Sequence, residues 1–187
     1  AADGILNELG VLKSIEAQNP LRLKGVYISA YEKEALWADS PAMPGGPEVP
    51  TSLSVPRLIL DDLLVQKARE SGVVLWEEHR VDDFVFENGT VVGVKGRDSS
   101  GTAFELKARV VVDAGGRNAI SLRRLNLKCL RSSCGKVALS AHWAHVNKID
   151  DYCYMHISPP GYTGTPKIAV DQVNVVLAVS YKHLRAH

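Results

Sequence analysis

The sequence predicts a mixed α/β (α+β) fold, and two pairings of a helix with a strand support this prediction. Residues 57–71 have apolar side chains at helical spacing, and this helix is expected to end at Gly72 before a strand at 73–77. Further along, three consecutive valines in residues 110–114 predict a strand that is buried on both faces. That strand leads through a Gly-Gly turn into a helix at 119–125. Helices that alternate with buried strands are typical of α/β proteins.

The region between these two pairings is predicted to be a meander of short strands. Residues 84–87 and 90–95 flank Asn88-Gly89, which is a strong signal for a hairpin with a type I′ turn. A second turn at 98–101 then leads into a strand at 102–108.

The N-terminal region is predicted to contain a helix, one or two strands and a linker. Apolar residues recur at helical spacing up to Pro20, with an interruption at Gly10. The strands are expected within residues 21–38. From residue 40 to residue 56, five prolines and a pair of glycines are expected to prevent regular structure.

The C-terminal region is predicted to be an antiparallel sheet. Residues 137–146 alternate between two faces, and residues 152–157 and 173–179 are expected to form further strands. One face of the first strand is small and partly polar, with Ser140 and His142 on it. A ligand could lie against such a face, although a sheet packed on helices would have a similar pattern.

Composition excludes several classes of protein. The 187 residues are 45% hydrophobic and 23% charged, as in ordinary globular proteins, and the net charge of +1 provides no basic surface for nucleic acid. No apolar run is long enough for a transmembrane segment, although a peripheral contact with a membrane stays open. Three cysteines, an odd number, predict a reducing, cytoplasmic compartment. Because the chain begins at Ala1 inside a predicted helix, the sequence predicts a fragment; composition says nothing of the oligomeric state.

The turn after the three valines is the strongest candidate for a functional site. A strand, a glycine turn and a helix N-terminus would bring unpaired backbone N–H groups and the positive end of a helix dipole toward a phosphate or a ribose. Asn118 is the expected N-cap of that helix. This is the chemistry of a nucleotide cofactor site, but many strands end in a glycine turn before a helix, so the motif alone leaves both interpretations open.

Two motifs resemble one family of enzymes. The pattern Arg57-x2-Leu60-Asp61-x2-Leu64 and the later run VVVDAGGRNAISLRRL are similar to the FAD-dependent oxidoreductases that include geranylgeranyl reductases, para-hydroxybenzoate hydroxylase-type monooxygenases and flavin-dependent halogenases. The geranylgeranyl reductase-like branch is the most similar. The chain departs from the family pattern at Gly115, where Ser or Thr is usual, and at Ala119, where Ser is usual.

The resemblance implies a division of the chain into domains. Residues 52–127 would be part of a Rossmann-like FAD-binding domain that contains the meander, without the GxGxxG segment with which the family begins. Residues 1–51 and 128–187 would contribute the linker and the antiparallel sheet of a substrate domain. The last residues, 180–187, also resemble a translated sequencing adapter, which would make them non-native.

The resemblance also implies which residues contact the cofactor. Arg57 would donate to phosphate or ribose oxygens, and Val81 would present backbone groups to the adenine. A further four residues would approach the adenosine or the pyrophosphate, and these are Asp113, Ala114, Gly115 and Gly116. The alternatives are that Arg57 is a solvated residue at a helix start and that Asp113 only ends a strand.

Two residues of the sheet are predicted to face the substrate. Tyr162 stands in the segment SPPGYTGTPKIAVDQVNVVLAV, which resembles the substrate domain of the family and has Tyr where Trp is frequent. His142 lies on the small polar face described above. No metal site is predicted, because the spacings of the histidines and cysteines match no closed zinc site; these residues are Cys129, Cys134, His142, His145, Cys153 and His156.

The sequence therefore predicts an FAD-dependent oxidoreductase that acts on an apolar small-molecule or isoprenoid-like substrate, with NAD(P)H as a candidate electron donor. A geranylgeranyl reductase-like reduction is the first reading, and a monooxygenase or a halogenase is the alternative within the family. No catalytic side chain can be named, because the flavin carries the redox step in this family. A non-catalytic binding module on the same scaffold is the alternative outside it, and the 187 residues alone are expected to bind FAD poorly.

Overall fold

The computed structural model describes residues 2–31, 33, 35–41, 51–127 and 135–180. The chain divides into two compact units. The first comprises Ala1–Val73 and Ser133–His187, and the second comprises Val74–Ser132. The second unit is therefore an insertion in the chain of the first. The domain boundaries that the sequence predicts, 1–51, 52–127 and 128–187, stay a prediction.

The mixed α/β (α+β) fold that the sequence predicts is confirmed. The helices of the first unit are α1 (Ala2–Glu8), α2 (Leu12–Glu16) and α3 (Arg57–Glu70). Its strands are β1 (Leu21–Leu23), β2 (Gly25–Ala30), β3 (Leu36–Asp39), β4 (Ser52–Ser54), β8 (Lys136–Trp143), β9 (Tyr152–Ser158), β10 (Gly161–Thr165), β11 (Lys167–Ala169) and β12 (Gln172–Ser180). The second unit contains β5 (Arg80–Glu87), β6 (Thr90–Arg97), β7 (Ala103–Lys107) and α4 (Ile120–Arg124). No helix among the described residues combines the length and the apolarity needed to span a membrane.

The interruption predicted in the N-terminal helix is confirmed. Gly10 lies between α1 and α2 with a φ of +70°, which a residue with a side chain rarely adopts. The chain turns there and buries Val11 and Ile15, which are only 2% and 0% exposed. Two short helices therefore replace one longer helix.

A mixed seven-stranded sheet dominates the first unit. Its order is β11-β12-β10-β9-β2-β3, and β8 pairs with β12 outside this path. All the pairings are antiparallel except that of β2 with β9, which is parallel. The antiparallel sheet predicted for the C-terminal region is confirmed, and β2 and β3 extend it from the N-terminal region.

The strand register defines two faces of this sheet. The first face carries a cluster of touching rings with centroid separations between 4.5 and 6.3 Å, which consists of Tyr27, Trp37, Tyr152, Tyr154 and His156. We call this the aromatic face. The opposite face carries His142, Asn174 and Tyr162. Because neighbours along a strand alternate in direction, these two sets of side chains are separated by the thickness of the sheet.

One prediction for the linker is wrong. Residues 40–56 were expected to lack regular structure, but Ser52–Ser54 form β4, which pairs with β1. The pairing is anchored by a hydrogen bond of 3.1 Å from Arg22 Nη1 to Thr51 Oγ1. Pro56 follows this strand rather than interrupting it, so it does not remove a ladder hydrogen bond. Residues 42–50 lie outside the described part of the chain.

The helix predicted at 57–71 is confirmed as α3, and Gly72 ends it with a φ of +83°. The residues predicted to form its apolar stripe are half-buried, and these are Leu60, Leu63, Leu64 and Ala68. Asp61 and Asp62 lie in its second turn, because the helix begins at Arg57.

The second unit is built on the predicted meander. β5, β6 and β7 pair in sequence order, and Phe84 on β5 is buried. Asn88 and Gly89 both have positive φ angles, +50° and +78°, as a type I′ turn requires. The hairpin prediction is therefore confirmed.

Two predicted strands are absent from the structure. Residues 73–77 and 110–114 have no strand partner among the described residues. Val110 and Val112 are 76% and 84% exposed, so the burial predicted for the three valines is wrong as well. β-Branched side chains favour strands only where a neighbouring strand is present to pair with them.

Candidate functional site

The bend at residues 113–116 is held by the carboxylate of Asp113. Its Oδ1 accepts the backbone N–H of Gly115 at 3.0 Å, and its Oδ2 accepts the backbone N–H of Ser121 at 2.7 Å. Ser121 is the second residue of α4, so Asp113 fixes the bend and satisfies a free N–H of the helix with one side chain. The prediction that Asn118 caps this helix is wrong, since Asn118 lies in a short 3-10 turn before it and Ala119 occupies the N-cap.

Hydrogen bonds from Ser121 and Gly115 lower the pKa of Asp113 below its ordinary value, with Ser121 as the larger cause. The ionised form is favoured because both carboxylate oxygens act as acceptors. Asp113 therefore stays charged at neutral pH. Both of its oxygens accept backbone N–H groups, so it shapes the bend, and its contact with a cofactor stays a prediction.

The two glycines of the bend differ in what surrounds them. A Cβ at Gly115 would lie 3.0 Å from Asp113 Oδ1 and 3.0 Å from Ala119 Cα, so the bend is tight on this side. A Cβ at Gly116 would meet nothing within 4 Å, but the residue has a φ of +59°. Ala114, Gly115 and Gly116 are all exposed. The backbone of the bend is therefore open to a ligand, and its conformation favours glycine at 116.

A cavity of about 420 Å³ opens next to this bend, within the second unit. Val81 lines it from β5, an edge strand, and Asn118 and Ile120 line it from the start of α4. The structure therefore brings the predicted residue Val81 to a cavity that adjoins the predicted bend. Because β5 pairs only with β6 among the described strands, its outer backbone groups are free of a strand partner there.

Three arginines make the cavity cationic. Arg80 pairs with Asp82 at 2.8 Å, and Arg124 donates from Nε to the Asp82 carbonyl at 3.2 Å. Arg123 forms no ion pair with any described residue. Arg124 also lies 3.5 Å from the carboxylate of Asp83, which does not line the cavity. The three guanidinium groups still exceed these two carboxylates by one positive charge, which favours an anion such as a diphosphate, and guanidinium groups bind phosphate oxygens in a fork. The residues present therefore fit an anionic nucleotide.

Arg57, the first residue of α3, belongs to the first unit and is 80% exposed. Its Nε and Nη2 each donate to a carboxylate oxygen of Asp61 at 3.0 Å, one turn along the helix. These hydrogen bonds raise the pKa of Arg57, which stays charged. A guanidinium has five N–H donors and Asp61 takes two, so the remaining three are available to another acceptor. The contact of Arg57 with a cofactor stays a prediction.

The two residues predicted to face a substrate share one face of the large sheet. Tyr162 pairs with Ala178, which in turn pairs with Ala138, four residues from His142 on β8. Between them, Ser140 Oγ donates to Asn174 Oδ1 at 2.6 Å, which adds a polar pair to that face. His142 is exposed and Tyr162 is half-buried. Their roles toward a substrate stay predictions.

No group of three or more His, Cys, Asp or Glu side chains converges as metal ligands would, within the ranges that the structure describes. His142 and His145 belong to different environments, since His145 lies 3.5 Å from Asp171. Cys153 is half-buried in β9, and burial raises the pKa of its thiol. Cys129 and Cys134 lie outside the described residues.

Comparisons with known proteins agree with this geometry. Residues 59–145 match the family model described as an FAD binding domain. No curated protein matches the chain in sequence. The chain has the fold of FAD-dependent oxidoreductases. The predicted resemblance is confirmed at this level, and the bend and the cationic cavity both lie within the matched residues of the flavoenzyme fold.

Three solved structures illustrate the flavoenzyme fold. The myxobacterial chondrochloren halogenase CndH matches 98% of the chain with a TM-score of 0.86 and 22% identity. The flavin-dependent halogenase CmlS matches 97% with a TM-score of 0.82 and 24% identity. A geranylgeranyl bacteriochlorophyll reductase-like protein from Thermoplasma acidophilum matches 87% with a TM-score of 0.72 and 24% identity. The chain spans 43%, 34% and 41% of the lengths of these three proteins.

Sequence reasoning missed the three arginines of the cavity. Arg123 and Arg124 are visible in the motif as the polar side of the helix, and Arg80 precedes Val81 directly. A signal was available, since a cluster of arginines on both sides of a candidate phosphate turn suggests anion binding. That they converge depends on the packing of α4 against β5, which no local pattern predicts.

Proposed function

We propose that this chain is part of an FAD-dependent oxidoreductase and that its second unit holds the adenosine and diphosphate part of the cofactor. The observation that carries the proposal is the open bend at residues 113–116 beside a cationic cavity that Val81 also lines. The match of residues 59–145 to an FAD binding domain supports it. FAD, when bound, supplies hydride transfer or the activation of oxygen.

The residues of the chain have separate tasks in this proposal. Asp113 keeps the bend in one conformation, so that Ala114, Gly115 and Gly116 present their backbone to the cofactor without a loss of ordering entropy on binding. The arginines of the cavity neutralise the diphosphate, and the outer backbone of β5 at Val81 is available to hydrogen-bond the adenine. Arg57 would add a contact from α3 through the donors that Asp61 leaves free.

The substrate is proposed to be an apolar small molecule that lies against the sheet face with Tyr162 and His142. This face combines small apolar residues with the polar pair Ser140 and Asn174, which suits an apolar body with one polar group. Reduction of an isoprenoid-like alkene, hydroxylation and halogenation are all compatible with such a face. The halogenases among the solved structures are at least as similar as the geranylgeranyl reductase-like protein, so the reductase reading has no special support. NAD(P)H is the proposed electron donor.

The visible absorption spectrum of the full-length gene product tests the proposal. We expect the flavin bands to co-purify with the protein, or to return on addition of FAD with quenching of the free flavin fluorescence. The same measurement with FMN is the control, because FMN lacks the adenosine that Val81 and the bend would hold. A protein that neither carries nor takes up FAD would contradict the proposal and support a non-catalytic binding module.

A further inference from the structure

A second cavity, of about 400 Å³, lies on the aromatic face of the large sheet, opposite to the face of His142 and Tyr162. The register pairs Trp143 with Val173 and Thr165 with Tyr154, so these side chains share the aromatic face. The proposed substrate and cofactor residues do not line this cavity. It is therefore separate from the site described above.

The segment between β8 and β9 closes one side of the cavity and is fixed at both ends. At its start, the Val146 backbone N–H donates to the Asp171 carbonyl at 3.0 Å. At its end, Lys167 Nζ donates to the Ile149 carbonyl at 3.4 Å and to Asp151 Oδ1 at 3.0 Å. The cavity is thus formed before any ligand arrives, and binding would cost little ordering entropy.

The floor and two walls of the cavity are apolar or aromatic. Val173, which is 6% exposed, and Val175 form the floor on β12. Trp143 stands on β8 and Tyr154 on β9, and two strands separate them. The register also places Trp143 two residues further along the strands than the position level with Tyr154. At the usual strand spacing and rise the backbones below these two rings are about 16 Å apart, a gap that accommodates a flat ring system of one or two rings.

The polar groups of the lining favour an acid. Lys148 and Asn147 stand at the rim, and Lys148 makes no ion pair with a described residue. Lys148 is the one charged side chain among the described residues that line the cavity. Two carboxylates stand nearby without lining it: Asp151 pairs with Lys167, and Asp150 accepts the neutral Tyr154 hydroxyl at 2.7 Å and keeps its negative charge. The acid group of a ligand is therefore expected at Lys148.

We propose that this cavity binds a small aromatic carboxylate, with its ring between Trp143 and Tyr154 and its acid group on Lys148. Aromatic walls favour a flat ring over an alkyl chain, because rings gain from edge-to-face and offset contacts beyond the area they bury. A charge-assisted hydrogen bond to Lys148 selects the acid over its neutral or cationic analogues.

Calorimetric titration of the full-length protein with indole-3-acetate tests this proposal. We expect saturable binding, and binding at least roughly tenfold weaker for neutral indole-3-ethanol and for cationic tryptamine. Lys148→Met and Trp143→Leu should each weaken the binding of indole-3-acetate roughly tenfold. Lys136→Met, at the start of β8 and outside the lining of this cavity, is the matched control for Lys148→Met and should leave binding unchanged.

A fourth variant, Tyr162→Leu, distinguishes the two faces of the sheet. If Tyr162→Leu removes binding while Trp143→Leu keeps it, the probe occupies the proposed substrate face and the assignment of this cavity is wrong. Equal affinity for indole-3-ethanol, or no heat with indole-3-acetate at millimolar concentration, would overturn the proposal too. Circular dichroism of each variant checks that the sheet is retained, and FAD uptake reports separately on the proposed function.

Discussion

The Ser121 backbone N–H donates to Asp113 Oδ2 at 2.7 Å, which ties the start of α4 to the bend before it. The other carboxylate oxygen of Asp113 holds the Gly115 N–H. One side chain thus sets the position of the glycine bend relative to the helix that lines the cationic cavity. If the bend holds a nucleotide, its affinity depends on this carboxylate through the conformation of the bend.

The first prediction concerns Asp113→Asn. The asparagine side chain keeps one acceptor oxygen but directs an NH2 group at a backbone N–H. The bend therefore loses one of the two hydrogen bonds that hold it. We expect FAD affinity of the full-length protein to fall roughly tenfold, measured by flavin fluorescence. Asp98→Asn is the matched control, because Asp98 also holds a turn through Thr102 N–H at 2.8 Å and lies outside the cavity. Equal losses in both variants would mean that the effect is one of general stability.

The second prediction concerns Gly116→Ala. A side chain at a φ of +59° costs about 1 kcal/mol, although nothing crowds the Cβ itself. Gly101→Ala carries the same kind of strain at a φ of +87° in the turn between β6 and β7. Both variants should lose similar stability in urea, but only Gly116→Ala should weaken FAD binding. If Gly101→Ala weakened FAD binding to a similar degree, the assignment of the bend to the FAD site would be wrong.

The third prediction compares two lysines that share one carboxylate. Lys167, 12% exposed, donates to Asp151 Oδ1 at 3.0 Å, whereas Lys24, 59% exposed, lies 4.0 Å from Asp151 Oδ2. Lys167→Met should lower the free energy of unfolding by about 1–2 kcal/mol, because it also leaves the Ile149 carbonyl without its donor. Lys24→Met should lower the free energy of unfolding by less than about 0.5 kcal/mol. Urea denaturation measures the free energy of unfolding of both variants. Equal losses would contradict the prediction that the more buried lysine contributes more to stability.

The fourth prediction concerns the titration of Tyr154. Its hydroxyl donates to Asp150 Oδ2, and this hydrogen bond raises the pKa of Tyr154 from 10.0 to about 12. A raised pKa contributes stability that is complete below pH 10 and is lost as the pH rises through the folded value. NMR of labelled tyrosine should show Tyr154 neutral at pH 11. Asp150→Asn should return its pKa toward 10, while Asp39→Asn, which acts on Tyr152, should leave it unchanged.

Local chemistry explains what the sequence predicts correctly. The type I′ hairpin at Asn88-Gly89, the end of α3 at Gly72 and the break at Gly10 each depend on a residue that adopts positive φ. Such conformations are decided by the residue and its neighbours, so they can be predicted without knowledge of the fold. The candidate bend at residues 113–116 was found for the same reason.

Features that depend on distant partners could not be predicted. β4 forms because β1 pairs with it. Arg22 of β1 and Thr51, which precedes β4 and accepts its hydrogen bond, are 29 residues apart in the chain. Val110 and Val112 have the side chains of a buried strand but no strand beside them among the described residues. The double role of Asp113 depends on Ser121 lying within reach of its second oxygen, eight residues along the chain. Each of these depends on tertiary structure.

The parallel pairing of β2 with β9 has a consequence for synthesis on the ribosome. Ser29 and His156 are partners in this pairing and stand 127 residues apart. The meander of β5, β6 and β7 has only neighbour-to-neighbour pairings, so it can be complete while β2 still awaits its partner. A nascent chain that has emerged to residue 132 therefore contains every described strand of the second unit, whereas β2 still lacks β9. The second unit can thus fold before the sheet of the first unit is complete, although the first unit begins earlier in the chain.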